Sequence, residues 1–130
     1  MTHDDVRAWL ERYVAAWESY DPEAIGDLFA AAAEYRYHPA DEPIVGREAI
    51  VASWVTPEGA ASGRDEPGTY AARYEPFAVE GARAVAVGWS RYWTDASRTT
   101  QQATFDNCFL LEFDDEGRCR SFTEFYRERG

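Results

Sequence analysis

Two residues near the C-terminus are hard to explain as packing alone. The stretches TTQQATFDNCFLLEF and RCRSFTEFYRE read as strands of a hairpin joined by Asp114-Asp115-Glu116-Gly117. A four-residue turn there pairs Phe113 with Arg118. It sets Asn107 opposite Glu124, Phe109 opposite Phe122 and Phe105 opposite Tyr126. Side chains alternate between the faces of a strand, so one face carries Phe105, Asn107, Phe109, Leu111, Phe113, Phe122, Glu124 and Tyr126. That face is the more apolar and is expected to meet the core. A carboxylate among rings must find donors or take up a proton, and either outcome serves ligand binding or acid–base chemistry. A structural role for Glu124, hydrogen-bonded to a buried arginine or a tyrosine hydroxyl, stands beside that reading. Arg91 in SRYW is the candidate partner, although the turn near Ala96 leaves its facing open.

His38, between Tyr37 and Pro39, is one of two histidines, and in its neutral form it could act as a general base near neutral pH. The bland alternative is a hydrogen-bonded histidine at a strand end. Tyr13, Trp17 and Trp54 lie on helical stripes, where most residues are core and some touch a ligand. Asp41 and Glu42 read as solvated turn residues.

The elements that would position these residues follow from periodicity. Val6, Trp9, Leu10, Tyr13, Val14, Trp17 and Tyr20 form the apolar stripe of a helix over 2–18, capped by Thr2 with Asp4 and Asp5 in its first turn. Asp21-Pro22 restarts a short helix that buries Ile25, Leu28 and Phe29. Tyr35 and Tyr37 alternate with Arg36 and His38, which predicts a short strand ending at Pro39. A third helix is expected over 47–55, burying Ile50, Val51 and Trp54, followed by a Gly- and Pro-rich loop over 57–68. The rest is strand: TYAARYEPFAVE and ARAVAVGWSRYWTD join at Glu80-Gly81 and precede the C-terminal hairpin. Helices first and a strand meander after is an α+β pattern.

The length of 130 residues fits one domain spanning 1–130 with one core, and aromatics at 15% favour a ring-lined pocket. The net charge is −11 and every basic residue is arginine. The absence of lysine excludes a lysine Schiff base. The negative field argues against nucleic acid and anionic membranes as partners. No long apolar run or signal-like start is present, which favours a cytoplasmic protein. Cys108 and Cys119 read as buried, reduced thiols. Neither a nucleotide loop, a metal-ligand spacing nor a G-x-S-x-G elbow occurs, so no metal or other cofactor is expected.

Three stretches, RYVAAWESYDPEAIGDLFA, YRYHPADEPIVGREAIVASW and FDDEGRCRSFTEFYRE, resemble the nuclear transport factor 2-like superfamily in its SnoaL-like and ketosteroid isomerase-like branch. With the strands between them they span nearly the whole chain. The resemblance implies a cystatin-like cone: three N-terminal helices on a highly curved mixed or antiparallel sheet that encloses a pocket. It also implies homodimers formed through the outer sheet face, which Leu110 and Phe125 would suit. Carried over residue by residue, the oxyanion tyrosine of ketosteroid isomerase matches Tyr13. Its catalytic aspartate, followed by proline, matches His38 before Pro39, and its protonated oxyanion aspartate matches Phe109, which cannot donate. The same alignment sends Phe122, Glu124 and Tyr126 into the pocket. The resulting expectation is a cofactor-independent isomerase, cyclase or dehydratase for a small apolar molecule with a polar handle. His38, Tyr13 and Glu124 would be catalytic, and Trp17, Trp54, Asn107, Phe109, Phe122, Tyr126 and Arg91 would line the ligand. The alternative is a non-catalytic ligand-binding or dimerisation domain, because this fold hosts both.

Overall fold

A computed structural model describes residues 1–55 and 68–129. Helix α1 (His3–Ser19) opens the chain. Thr2 accepts from the Asp5 amide while the Asp5 carboxylate accepts from the Thr2 amide, a reciprocal cap that holds two donors at the helix start. Tyr20 closes the helix in the left-handed conformation. Asp21 then caps the short helix α2 (Pro22–Asp27) through the Glu23 amide. Strand β1 (Phe29–Arg36) and the two-residue β2 (Ile44–Val45) lead to α3 (Arg47–Val55), where Ile50 and Trp54 are buried and Val51 only partly. Four long strands follow: β3 (Tyr70–Glu80), β4 (Arg83–Trp93), β5 (Gln101–Phe113) and β6 (Cys119–Glu128).

The sheet runs β2-β1-β6-β5-β4-β3 and is mixed, because β1 lies parallel to β6 while the other neighbours are antiparallel. It is curled and not closed, with β2 and β3 at its edges. Helix α1 packs along β3, and α3 packs on α2 and β1, so the helices fill the concave side. The core is a stack of rings. Trp9 meets Phe113 edge-on at 5.6 Å, Tyr35 stacks on Phe122 at 4.4 Å, and Tyr13 stacks on Phe122 at 5.4 Å. Trp9 also donates its indole N–H to the Leu28 carbonyl, so this large side chain is buried without an orphaned donor.

Several local expectations need correction. Phe29 begins β1 and does not close α2, and β1 ends at Arg36, leaving Tyr37, His38 and Pro39 in a bend. The alanine run 30–33 hides that strand, since alanine carries no strand preference and a bulge between Phe29 and Glu34 breaks the alternation. The C-terminal hairpin is shifted by two residues: Asn107 pairs with Tyr126, Phe109 with Glu124 and Leu111 with Phe122. The cause is the turn. The Asp114 carboxylate accepts from the Glu116 and Arg118 amides, so Arg118 stays in the turn and Phe113 pairs with Cys119 beside a bulge at Glu112. A shift of two keeps every side chain on its face, so the inward set survives. Cys119 is buried, but Cys108 is only half-buried. The loop expected over 57–68 lies, up to residue 67, outside the described residues.

Candidate functional site

Beyond the ring-filled core the sheet and the C-terminal half of α1 wall a cavity of about 520 Å³. The change is visible along each strand. On β5, Phe113, Leu111 and Phe109 are core, and Asn107 and Phe105 face the cavity. On β6 the order is Phe122, then Glu124 and Tyr126; on β4 it is Ala84 and Ala86, then Ser90 and Tyr92. Gly88 stands between these β4 pairs, opposite both Tyr74 and Asn107. A Cβ there would overlap the Arg73 carbonyl oxygen and crowd the Tyr74 ring, so only glycine lets β3 and β4 approach this closely under Tyr74.

The polar centre of the cavity is a short relay. Ser90 Oγ donates to Asn107 Oδ1 at 3.0 Å, and Asn107 Nδ2 donates to Glu124 Oε2 at 2.6 Å. Ser90 and Asn107 are buried at 2% and 7% exposure, which fixes the amide's orientation and aims its N–H at the carboxylate. Among the described residues Asn107 is the donor recorded for Glu124, and no arginine forms an ion pair with it. Burial pushes the Glu124 carboxyl up to about 7, with the Asn107 amide acting in the opposite sense. The group therefore divides between acid and base near neutral pH.

Tyrosines surround that carboxyl. Tyr13 is buried, and its hydroxyl shares a hydrogen bond with Tyr35 at 3.3 Å; Tyr70 and Tyr74 share another at 3.4 Å. Burial holds all four phenols well above their ordinary range, and the Glu124 charge adds to this at Tyr13, Tyr35 and Tyr74. They stay protonated at any physiological pH and serve as neutral donors. Tyr37 behaves likewise, with its hydroxyl on Ser53 Oγ at 3.0 Å.

Around the mouth the rings form a continuous belt. From Tyr20 it runs through Trp17, Tyr70, Tyr92, Phe105 and Tyr126 to His38, with successive centroids 5.9, 6.4, 5.3, 5.8, 5.4 and 5.0 Å apart. Phe105 stands nearly perpendicular to both neighbours, at 82° to Tyr92 and 89° to Tyr126, so adjacent rings make the walls of a box. His38 is exposed at the rim, with Nε2 3.3 Å from the Tyr126 hydroxyl. Asp41, read from sequence as a solvated turn residue, is exposed on the same rim.

The structure thus brings Tyr13, Trp17, His38, Asn107, Glu124 and Tyr126 to one cavity. It leaves out four residues expected there. Phe109 and Phe122 are fully buried in the core below it; they share the inward face with Glu124 but lie deeper along their strands. Trp54 is stacked behind Trp17 at 3.9 Å, so Trp17 screens it from the cavity. Arg91 pairs with Thr104 on the opposite face, donating to Thr104 Oγ1 at 3.2 Å and lying over Trp89 at 5.1 Å; it is not the partner of Glu124. Ser90, Tyr70, Tyr74 and Tyr92 were missed as site residues. The spacing of Ser90 with Tyr92, and of Tyr70 with Tyr74, puts each pair on one face, but nothing in the sequence says which face meets the helices. No cluster of His, Cys, Asp and Glu among the described residues could hold a metal ion, and no described helix is long and apolar enough to cross a membrane.

Comparison with known proteins gives a family and a fold. The family model described as a SnoaL-like domain matches residues 10–122. In three dimensions the chain is similar to an NTF-2 like protein of unknown function from Burkholderia xenovorans LB400, with a TM-score of 0.68 and 17% identity, covering 98% of this chain and 86% of that one. At that identity the likeness is one of fold. No curated protein matches the chain.

Proposed function

The chain belongs to the SnoaL-like domain family, and from that premise we propose that its cavity binds a small, largely apolar molecule and exchanges a proton with the molecule's polar handle through Glu124. The observation that carries this reading is the Glu124 carboxyl in the cavity wall, held by Asn107 Nδ2 at 2.6 Å and pushed up to about 7. A carboxyl so placed can give or accept a proton near neutral pH without a large free-energy gap either way. Ser90 and Asn107 are positioning residues for it. The Tyr13 phenol, protonated and beside the same cavity, is the donor for negative charge developing on a substrate oxygen. His38 and Tyr126 form a hydrogen-bonded pair at the rim, suited to passing a proton to solvent. Isomerisation, cyclisation and dehydration are the reaction classes this set serves, since none requires a metal or a nucleotide.

A second reading, a ligand-binding domain without turnover, draws support from Phe109. It occupies the position matched to the oxyanion acid of ketosteroid isomerase and is fully buried, so Tyr13 has no acidic partner there. The homodimer reading rests on the outer face, where Val87, Leu110 and Phe125 are exposed on adjacent strands. Two unpaired cysteines accord with a cytoplasmic location.

The test is a panel of small aromatic fragments titrated into isotope-labelled protein. Binding in the cavity shifts the amide signals of Ser90, Asn107 and Glu124 together and persists in Glu124→Gln. No shift in that set with any fragment would contradict the reading. Fragments that bind wild type and variant alike, with no pH dependence in either, would favour the domain without turnover.

A further inference from the structure

The cavity has an unusual charge balance. Its lining includes three carboxylates, Asp41, Glu124 and Glu128, and no arginine among the described residues. Other acids of the molecule, including Glu75, Asp106 and Glu112, are matched by guanidinium groups on the outside, whereas Glu124 is met among the described residues by a neutral amide. The same cavity is lined by the belt of rings, whose members Tyr92, Phe105 and Tyr126 stand nearly perpendicular in succession and make adjoining walls. The negative face of an aromatic ring attracts a cation, most strongly in a site shielded from water. A carboxylate in the lining of the same cavity adds coulombic attraction to the same ligand. The same surroundings repel an anion, with no guanidinium among the described lining residues to offset the cost.

We propose that the ligand of this cavity is an organic ammonium compound, its cation seated against the Tyr92–Phe105–Tyr126 walls with Glu124 as counter-charge. This deepens the proposed function and rests on it: the ammonium group is the polar handle that meets Glu124. The net charge of −11 adds a long-range field that draws such a ligand toward the protein.

Three probes of similar shape separate charge from size: trimethylphenylammonium, tert-butylbenzene, in which carbon replaces the charged nitrogen, and benzoate. Each is titrated at pH 8 and followed by the Ser90 and Asn107 amide signals. The ammonium is expected to bind about tenfold or more tightly than its carbon isostere, a difference of about 1.4 kcal/mol. Benzoate is expected to be the weakest of the three. Glu124→Gln should remove most of the ammonium's advantage and leave the affinity of tert-butylbenzene unchanged. In the wild-type chain, affinity for the ammonium should fall as pH drops from 8 to 5, because the probe's charge is fixed and only the protein titrates. Glu124→Gln should abolish most of that fall, which separates Glu124 from His38 at the rim. Equal or tighter binding of tert-butylbenzene, or an ammonium advantage that does not vary with pH, would overturn the inference while leaving the cavity as a binding site. If none of the probes moved the Ser90 and Asn107 signals, both this inference and the proposed function would fall.

Discussion

The two ends of the sheet's concave side use the same strands and much the same rings, yet one is solid and the other hollow. At the solid end Trp9 meets Phe29, Phe113 and Phe122, and Tyr35 meets Phe29 and Phe122, at 4.4–6.4 Å distances typical of packed aromatics. At the hollow end Tyr70, Tyr92, Phe105 and Tyr126 also touch in sequence, but around a space. Helix α1 crosses both: Trp9 serves the core, Tyr13 marks the boundary, and Trp17 with Tyr20 stands at the mouth. What differs is the row between the rings. Phenylalanine, leucine and alanine in the solid half give way to Ser90, Asn107 and Glu124 in the hollow half. Polar groups survive there because they bond to one another and border an open space, which an apolar core would not allow.

That contrast can be broken from either side. The largest effect is expected in the solid half: Phe122→Ala should cost about 3–5 kcal/mol of unfolding free energy, because Tyr13, Tyr35 and Phe109 cannot all close the gap. Tyr92→Ala at the mouth should cost less than half as much in the same denaturant titration, since it widens a space already open.

Next in size is a pH effect of the hollow half alone. Glu124 is raised from 4.5 to about 7 in the folded chain. Between those values the folded state holds a proton that the unfolded state has released, so the contribution of this group to stability is fully present below about 4.5 and is lost as pH rises through about 7. The loss from this group should be about 3 kcal/mol. Urea titrations from pH 4 to 8 should show the decline in wild type and its absence in Glu124→Gln, which should be the more stable protein at pH 8.

Smaller still is the effect of Asn107→Ala. It removes the donor that favours the ionised carboxylate, so it should cost about 2 kcal/mol at pH 8. It should cost less at pH 4 and move the titration of Glu124 further upward. The smallest effect belongs to neither region: Phe77, 72% exposed on edge strand β3, should tolerate Phe77→Ser within about 0.5 kcal/mol.

The same contrast explains what was legible in the sequence. Helical periodicity located α1 and α3, and alternation on β5 and β6 put Asn107, Glu124 and Tyr126 on the inward face. That assignment survived a two-residue error in register because the error was even. Alternation gives the face of a residue but not its depth, so Phe109 and Phe122 were grouped with Glu124 although they lie in the solid half. On β3 and β4 even the face was undetermined. A bulge between Pro76 and Ala78 interrupts β3, and the turn after Trp93 carries no strong signal. Ser90, Tyr70, Tyr74 and Tyr92 carry no local signal for that reason, and the facing of Arg91, open in the sequence, is outward because its neighbour Ser90 faces the cavity. Depth and facing are set by how the helices lie across the curled sheet, a tertiary fact that no local window contains.

The account turns on Glu124 being a desolvated acid in a hollow lined by rings. Its carboxyl carbon, followed by carbon-13 NMR from pH 3 to 9 in folded protein, reports this directly. A midpoint near 7 is the expected result. A midpoint near 4.5, the ordinary value for a glutamate in water, would mean that solvent fills the space and that the hollow half has no chemistry to offer.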